Sequence, residues 1–145
     1  MKKKAKKKLA PKTMRRQVAA LPICHDESGN PRVLLISSRE TQRPVIPKGW
    51  QMKGKPDHLA AEIEAFEEAG VKGRISKKPV GTYRYWKRLS DQFALVDVDV
   101  YALEVAEHCL EWPEQEQRQA RWFSPEDAAL LIDEPLLAAL IRRLV

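Results

Sequence analysis

The stretch GWQMKGKPDHLAAEIEAFEEAGV, residues 49–71, decides the fold because it joins a glycine-containing loop to the clearest helix in the chain. Its second part predicts a helix over residues 57–70, with Asp57 as the N-cap. Gly70 then ends the helix, since glycine adopts the left-handed conformation of a helix C-terminus at little steric cost. The apolar residues at helical spacing form a stripe expected to face a sheet: Leu59, Ile63, Phe66 and Gly70.

Three glutamates lie close together on the surface of this predicted helix. Glu64, Glu67 and Glu68 are spaced i, i+3 and i+4, which places their carboxylates at neighbouring positions. Like charges repel there, and the helix macrodipole disfavours acids near the C-terminal end. One interpretation is a solvated acidic face. The other is a metal site, because carboxylate oxygens are the ligands that Mg²⁺ and Mn²⁺ prefer.

The turn before the helix offers a further ligand. It reads Pro47-Lys48-Gly49-Trp50, and Gly49 has no Cβ, so its backbone can approach another group closely. A backbone carbonyl of this turn could complete the coordination of an ion held by the glutamates.

Length and composition favour one soluble domain. The chain has 145 residues, 43% of them hydrophobic, and a mean hydropathy of -0.49. No apolar run approaches the roughly 18 residues that span a bilayer, and no signal peptide is recognisable. Two cysteines are too few for a disulfide framework or a zinc site, which predicts reduced thiols and a cytoplasmic location.

The basic character of the chain is confined to its start. Residues 1–16 contain seven Lys and two Arg and no acid, so subtracting nine from the net charge of +6 leaves -3 for residues 17–145. We expect residues 1–15 to form a disordered, solubilising tail and residues 16–145 to form the single domain. A weak electrostatic contact with RNA is the alternative use of the tail.

The remaining elements are strands followed by terminal helices. Alternation over residues 93–105 places Ala94, Val96, Val98, Val100 and Ala102 on a core face, and Leu95, Asp97, Asp99, Tyr101 and Leu103 on the other. Strands are also predicted at 16–24, 32–38, 71–76 and 79–87, and helices at 124–132, with Ser124 as N-cap, and 135–144. This order predicts an α/β sandwich with helices on both faces of a mixed sheet.

The quoted stretch resembles the Nudix box, G-x5-E-x7-R-E-U-x-E-E-x-G-U, in which U is bulky and apolar. Gly49, the three glutamates, Gly70 and Val71 match at the required spacing. Lys55 replaces the first Glu of the box, Ile63 replaces its Arg, and Ala65 is smaller than the usual U. The resemblance implies a Nudix-type α/β/α sandwich with a mixed β-sheet.

The resemblance also implies roles for these residues. Glu64, Glu67 and Glu68 would be catalytic and would hold Mg²⁺ or Mn²⁺ together with the carbonyl of Lys48. The general base would be one of these acids or an acid of the later loop, Glu114 or Glu116. In the family the box Arg orients a catalytic Glu, so Ile63 is the departure that most affects the expected activity.

A branch of the family that acts on diadenosine and diphosphoinositol polyphosphates resembles this chain most. The resemblance rests on Pro47-Lys48-Gly49 and on EWPEQEQRQARWFSPEDA, residues 111–128. A substrate with many phosphates needs many cations, and the candidates are Arg39, Arg43, Lys48, Arg84, Lys87 and Arg88. Alternation places Tyr83 and Tyr85 on one strand face and Trp86 on the other, so at most one set is expected in the cleft.

The sequence therefore predicts a metal-dependent pyrophosphohydrolase acting on a small phosphoanhydride. Two alternatives remain: removal of pyrophosphate from RNA 5′ ends, which the Lys-rich tail would suit, and a nucleotide-binding module whose catalysis has weakened. No membrane partner is expected, and the sequence does not indicate an oligomeric state.

Overall fold

A computed structural model describes residues 15–144, so the predicted tail, apart from Arg15, lies outside the described residues. The strands are β1 (Arg16–His25), β2 (Pro31–Ser37), β3 (Pro44–Val45), β4 (Lys48–Trp50), β5 (Val71–Ile75), β6 (Gly81–Arg88), β7 (Phe93–His108) and β8 (Ala120–Phe123). The helices are α1 (Asp57–Ala69), α2 (Pro125–Leu131) and α3 (Pro135–Leu144). No helix within residues 15–144 has the length and apolar character required to cross a bilayer.

All eight strands belong to one mixed sheet. The order β3-β2-β1-β7-β5 forms its main path, while β4 pairs with β1, β6 with β7 and β8 with β2. β1 and β7 run parallel, from Arg16 opposite Asp97 to Ile23 opposite Glu104, and the other pairs are antiparallel. The two central strands therefore join the start of the domain to residues about eighty positions later.

Helices cover both faces of this sheet. In β1, Val18 and Ala20 pack with α1, whereas Ala19 and Leu21 pack with α2 and α3. A strand buried on both faces reads as a continuous apolar run, as β1 does. The predicted α/β/α sandwich with a mixed sheet is confirmed.

The buried face of α1 differs from the predicted stripe. Ala60, Ala61, Ala65 and Ala69 are fully buried, whereas Leu59 is 38% exposed; Ile63 and Phe66 are half-buried. Alanine lets the helix lie close to the sheet, and the larger side chains remain at the margin of the contact. This rotation also turns Glu68 toward the interior, where it is 7% exposed.

Of the two predicted ends of α1, the C-terminal end is confirmed and the N-terminal cap is wrong. Gly70 is the C-cap with φ of 72°, as expected, and a Cβ there would overlap the ring of Trp112. The N-cap is Pro56 rather than Asp57, and no side chain caps this end. Asp57 begins the helix and accepts a hydrogen bond from Gln51 Nε2 instead.

β7 is buried on both faces over part of its length. Its predicted core face is confirmed from Ala94 to Val100, but Tyr101 and Leu103 are also buried, because α1 covers the opposite face there. Asp97 and Asp99 do not line a cleft: they pair with Arg84 and Arg16 on the sheet surface.

Candidate active site

A polar cleft of about 740 Å³ lies between the C-terminal half of α1, the β4 turn, β6 and two loops. Its acidic lining consists of Glu40, Glu64, Glu68 and Glu114. Its basic lining consists of Arg39, Arg43, Lys48, Lys87, Arg88 and Arg118. Aromatic side chains at its edge are Trp50, Tyr85, Trp86 and Phe93.

Gly49 and Glu64 form the tightest contact on the floor of the cleft. β4 pairs with β1, with Gly49 opposite Val18, and this pairing fixes the turn in front of α1. A Cβ built on Gly49 would overlap the Glu64 carboxylate. The close approach predicted for Gly49 is therefore confirmed, and a side chain at this position would require the Glu64 carboxylate to move.

Glu64 and Glu68 form a coupled pair of carboxyl groups one helical turn apart. Burial, followed by the negative charge of Glu68, raises the pKa of Glu64 to about 8. Burial also raises the pKa of Glu68, although the Arg118 guanidinium opposes this shift. The Lys48 backbone N–H donates to Glu68 Oε1 at 3.2 Å, which ties the β4 turn to the helix.

The other acids in the cleft, Glu40 and Glu114, come from loops and not from the helix. Glu67 does not line the cleft, although its backbone oxygen accepts from the Glu114 N–H at 3.0 Å. Glu114 lines the cleft, whereas Glu116 is exposed outside it. Of the two loop acids considered from the sequence, the structure thus places Glu114 beside the helix pair.

The acidic residues of the cleft have the chemistry required to bind a divalent cation. Within residues 15–144, no three His, Cys, Asp or Glu side chains already converge at the spacing of a bound ion. One buried and one half-buried carboxyl group, those of Glu68 and Glu64, both with raised pKa values, nevertheless form an oxygen-rich site whose ionised state is costly without a positive charge. Mg²⁺ and Mn²⁺ bind oxygen ligands of this kind, so the residues fit the expected ion.

Five of the six substrate-binding candidates line the cleft: Arg39, Arg43, Lys48, Lys87 and Arg88. Arg84 does not, which corrects the prediction. Its exposed side chain lies outside the cleft beside β7, where Nε donates to Asp97 at 2.7 Å.

The cleft cations differ in how firmly they are held. Arg43 pairs with Glu134 at 2.9 Å and with Asp133 at 3.6 Å, which anchors it to the segment between α2 and α3. Lys48 is deeply placed, with Nζ 5.1 Å from the centre of the Tyr85 ring. Burial lowers the pKa of Lys48 to about 8.

Arg118 is the cleft residue that the sequence prediction missed. Its side chain is 10% exposed, its Nε donates to Glu114 Oε1 at 2.7 Å, and its terminal nitrogen lies 3.7 Å from Glu68 Oε2. The i, i+4 spacing of Glu114 and Arg118 was visible in the sequence. The contact with Glu68 was not, because it joins residues fifty positions apart.

Aromatic side chains from both faces of β6 reach the cleft. Tyr85 and Trp86 both line it, so the prediction that only one set would do so is wrong. Among residues 15–144, β6 pairs with β7 and with no other strand, so its other edge is free of strand pairing. Tyr83 is buried in the core, whereas Trp50, Trp86 and Phe93 are 42%, 65% and 61% exposed.

Comparison with known families identifies the family of the chain. The family model described as NUDIX domain matches residues 14–144 of the chain. The chain belongs to the Nudix family. Residues 49–71 are therefore a Nudix box in which Lys55 and Ile63 depart from the usual pattern.

Curated relatives of the family include plant and animal proteins. Nudix hydrolase 13, mitochondrial, of Arabidopsis thaliana is 36% identical over 107 residues, which are 67% of this chain and 51% of that protein. Diphosphoinositol polyphosphate phosphohydrolase 3-beta of Bos taurus is 30% identical over 127 residues, 84% of this chain and 74% of that protein. The chain thus spans about half the length of the plant relative.

Solved structures share the fold at lower sequence identity. An Ap4A hydrolase of C. elegans has a TM-score of 0.64 at 18% identity, covering 89% of this chain and 94% of that one. The dihydroneopterin triphosphate pyrophosphohydrolase of E. coli has a TM-score of 0.70 at 15% identity, covering 90% and 94%. These likenesses establish the architecture alone.

Proposed function

We propose that the chain is a metal-dependent pyrophosphohydrolase that cleaves a phosphoanhydride bond in a nucleoside-linked polyphosphate. The observation that carries this proposal is one cleft with carboxyl groups on its floor and cations around them. Glu64, Glu68 and Glu114 lie beside Lys48 in that cleft. A diphosphate placed there would have its charge opposed by Lys and Arg while its reacting phosphorus faces the acids.

Glu64, Glu68, Glu114 and the Lys48 carbonyl are the groups of the cleft that would hold Mg²⁺ or Mn²⁺, and Glu67, which lies near Glu64 outside the cleft, would join them only if its side chain turned inward. When bound, such an ion neutralises charge on the diphosphate and lowers the pKa of a water molecule. Whichever of Glu64 and Glu114 is free of the ion accepts the proton of the attacking water. The Lys48 ammonium donates to a phosphate oxygen, and Arg39 and Lys87 orient the rest of the polyphosphate chain.

The edge of the cleft favours a nucleoside over an inositol ring. Trp50, Trp86 and Phe93 expose large parts of their rings beside the cations. Exposed aromatic rings stack on nucleobases, and each such contact is worth roughly 1–3 kcal/mol. An inositol ring has no π-face, so these side chains would gain little from it.

A diphosphoinositol polyphosphate is the second candidate substrate. The basic residues of the cleft support it, as does the sequence likeness to a diphosphoinositol polyphosphate phosphohydrolase. Pyrophosphate removal from RNA ends remains a proposal that depends on the tail, which lies outside the described residues. A catalytically weakened binding module is the alternative that Lys55 and Ile63 support.

A substrate panel tests the proposal. Purified protein with Mg²⁺ is assayed on diadenosine polyphosphates, a diphosphoinositol polyphosphate and a short 5′-triphosphate RNA, with Glu64→Gln as the disabled variant. Glu62→Gln, a change on the same helix outside the cleft, is the matched control. We expect turnover of the diadenosine substrates that Glu64→Gln abolishes and Glu62→Gln retains. Binding without turnover of any compound would contradict the proposal and favour the weakened module.

A further inference from the structure

The loop over residues 109–119 is attached to the acid cluster through one arginine. Arg118 Nε donates to Glu114 Oε1 at 2.7 Å, and Nη1 donates to the Ser37 carbonyl at 3.2 Å. The other terminal nitrogen lies 3.7 Å from Glu68 Oε2. A single planar guanidinium thus joins the loop to the end of β2 and to α1, a geometry that the fork of an arginine provides and a lysine ammonium does not.

No other cation in the part of the chain that the structure describes forms an ion pair with Glu68 or Glu114. The last turn of α1 contains no basic residue, and Ile63 stands at the position of the box Arg. The positive charge that is ion-paired with these acids therefore comes from the loop and not from the helix. The side chain is also nearly buried, so solvent does little to weaken the pair.

We propose that Arg118 is the positioning residue of this site: it holds Glu114 against the helix acids and supplies from the loop the charge that Ile63 does not supply from the helix. Arg118 acts through Glu114, to which it is hydrogen-bonded at 2.7 Å, while its 3.7 Å approach to Glu68 is the weaker contact. This inference rests on the proposed function. Supporting groups around a metal-binding site typically contribute 10–100-fold to activity, which sets the size of the expected effect.

A double-mutant cycle tests the positioning role. Arg118→Gln should lower kcat by about 10–100-fold with KM changed by less than about threefold. In a Glu114→Gln background, the same change should lower kcat by less than about threefold, because the residue through which it acts is gone. Arg118→Lys should recover only part of the loss, and Arg121→Gln, which removes an exposed charge three residues later, should leave both constants unchanged.

A readout without metal or substrate separates this inference from the proposed function. The Glu114 N–H donates to the Glu67 carbonyl, and the Gln119 N–H donates to Ser37 Oγ at 2.9 Å. In metal-free protein, Arg118→Gln should accelerate hydrogen exchange of both amides at least about tenfold, and Arg121→Gln should not. Unchanged exchange would overturn the inference even for an active enzyme, whereas faster exchange in a chain without turnover would defeat only the proposed function.

Two kinetic outcomes also overturn the positioning role. A rise in KM at constant kcat would show that Arg118 binds the substrate directly. Equal losses in the wild-type and Glu114→Gln backgrounds would show that it does not act through Glu114.

Discussion

The floor and the edge of the cleft are built in different ways. The floor consists of neighbours in sequence: Glu64 and Glu68 on one helix, packed against the Gly49 turn that precedes it. The edge brings together β6, the start of β7 and the loop that carries Arg118. Local geometry therefore fixes where the acids lie, whereas the topology of the sheet decides which cations and aromatic rings surround them.

The largest effect is expected from a change on the floor. Glu68→Gln should lower kcat by about two to three orders of magnitude, because charge stabilisation at the reacting phosphates is lost. Steady-state kinetics with Mg²⁺ measures it, and Glu62→Gln on the same helix is the control.

Glu67→Gln tests how far the floor extends, since Glu67 does not line the cleft. An equal loss for Glu67 would show that its side chain turns inward during the reaction, and unchanged rates in both variants would exclude the assigned site.

Gly49→Ala tests the closeness of turn and helix. The new methyl group would overlap the Glu64 carboxylate, so one of the two must move. We expect kcat to fall by about 10–100-fold, the size of effect that a misplacement of about 1 Å produces. Gly29→Ala, in the turn between β1 and β2, is the control: its φ of 85° predicts a loss of stability but none of activity. Normal kinetics for Gly49→Ala would mean that the carboxylate can lie elsewhere.

Trp86→Ala addresses the edge. Loss of one base-stacking contact should raise KM for diadenosine substrates about tenfold, from the roughly 1–3 kcal/mol of such a contact. A diphosphoinositol substrate should be unaffected, and Trp86→Phe should retain most of the affinity. An equal rise in KM for both substrate classes would remove the case for a nucleobase at this edge.

The smallest effect concerns the stability of the floor. The pKa of Glu64 is raised from 4.5 to about 8, so the folded state retains a proton that the unfolded chain releases above pH 4.5. The contribution of this proton to the free energy of unfolding is complete below pH 4.5 and is lost as the pH rises through about 8. The melting temperature of metal-free protein should therefore fall over this range, and Mg²⁺ should raise it by a few degrees more at pH 8 than at pH 6.

Thermal unfolding at both pH values measures this effect, with Glu64→Gln as the comparison. The variant should show a weaker dependence on both pH and Mg²⁺. A response to Mg²⁺ that is equal in the variant and the wild type would place the ion away from Glu64.

The contrast between floor and edge also explains what the sequence could predict. Helical spacing and a glycine are local signals, and the structure brings Glu64, Glu68 and Gly49 together as they predicted, although Glu67, selected by the same spacing, does not line the cleft. Arg118 and the joint position of Tyr85 and Trp86 depend on a loop and a free strand edge that bring distant residues together. Arg84 was misplaced for the same reason, since its partner Asp97 lies on the adjacent strand β7.

The rotation of α1 about its axis was mispredicted for a different reason. Periodicity gives weight to large apolar side chains and therefore selected Leu59, Ile63 and Phe66. The contact with the sheet is made by alanines, which bury little area but allow the helix to lie close to the sheet.

The buried alanines of α1 have a consequence for how the geometry of the active site can change. Ala61 and Ala65 act as spacers that set the depth at which the acids sit over the β4 turn. A single larger side chain at either position would lift the helix and carry Glu64 and Glu68 with it. The geometry of the chemistry is thus controlled by residues that touch neither ion nor phosphate, and small volume changes beneath the helix can retune it without altering any charged group.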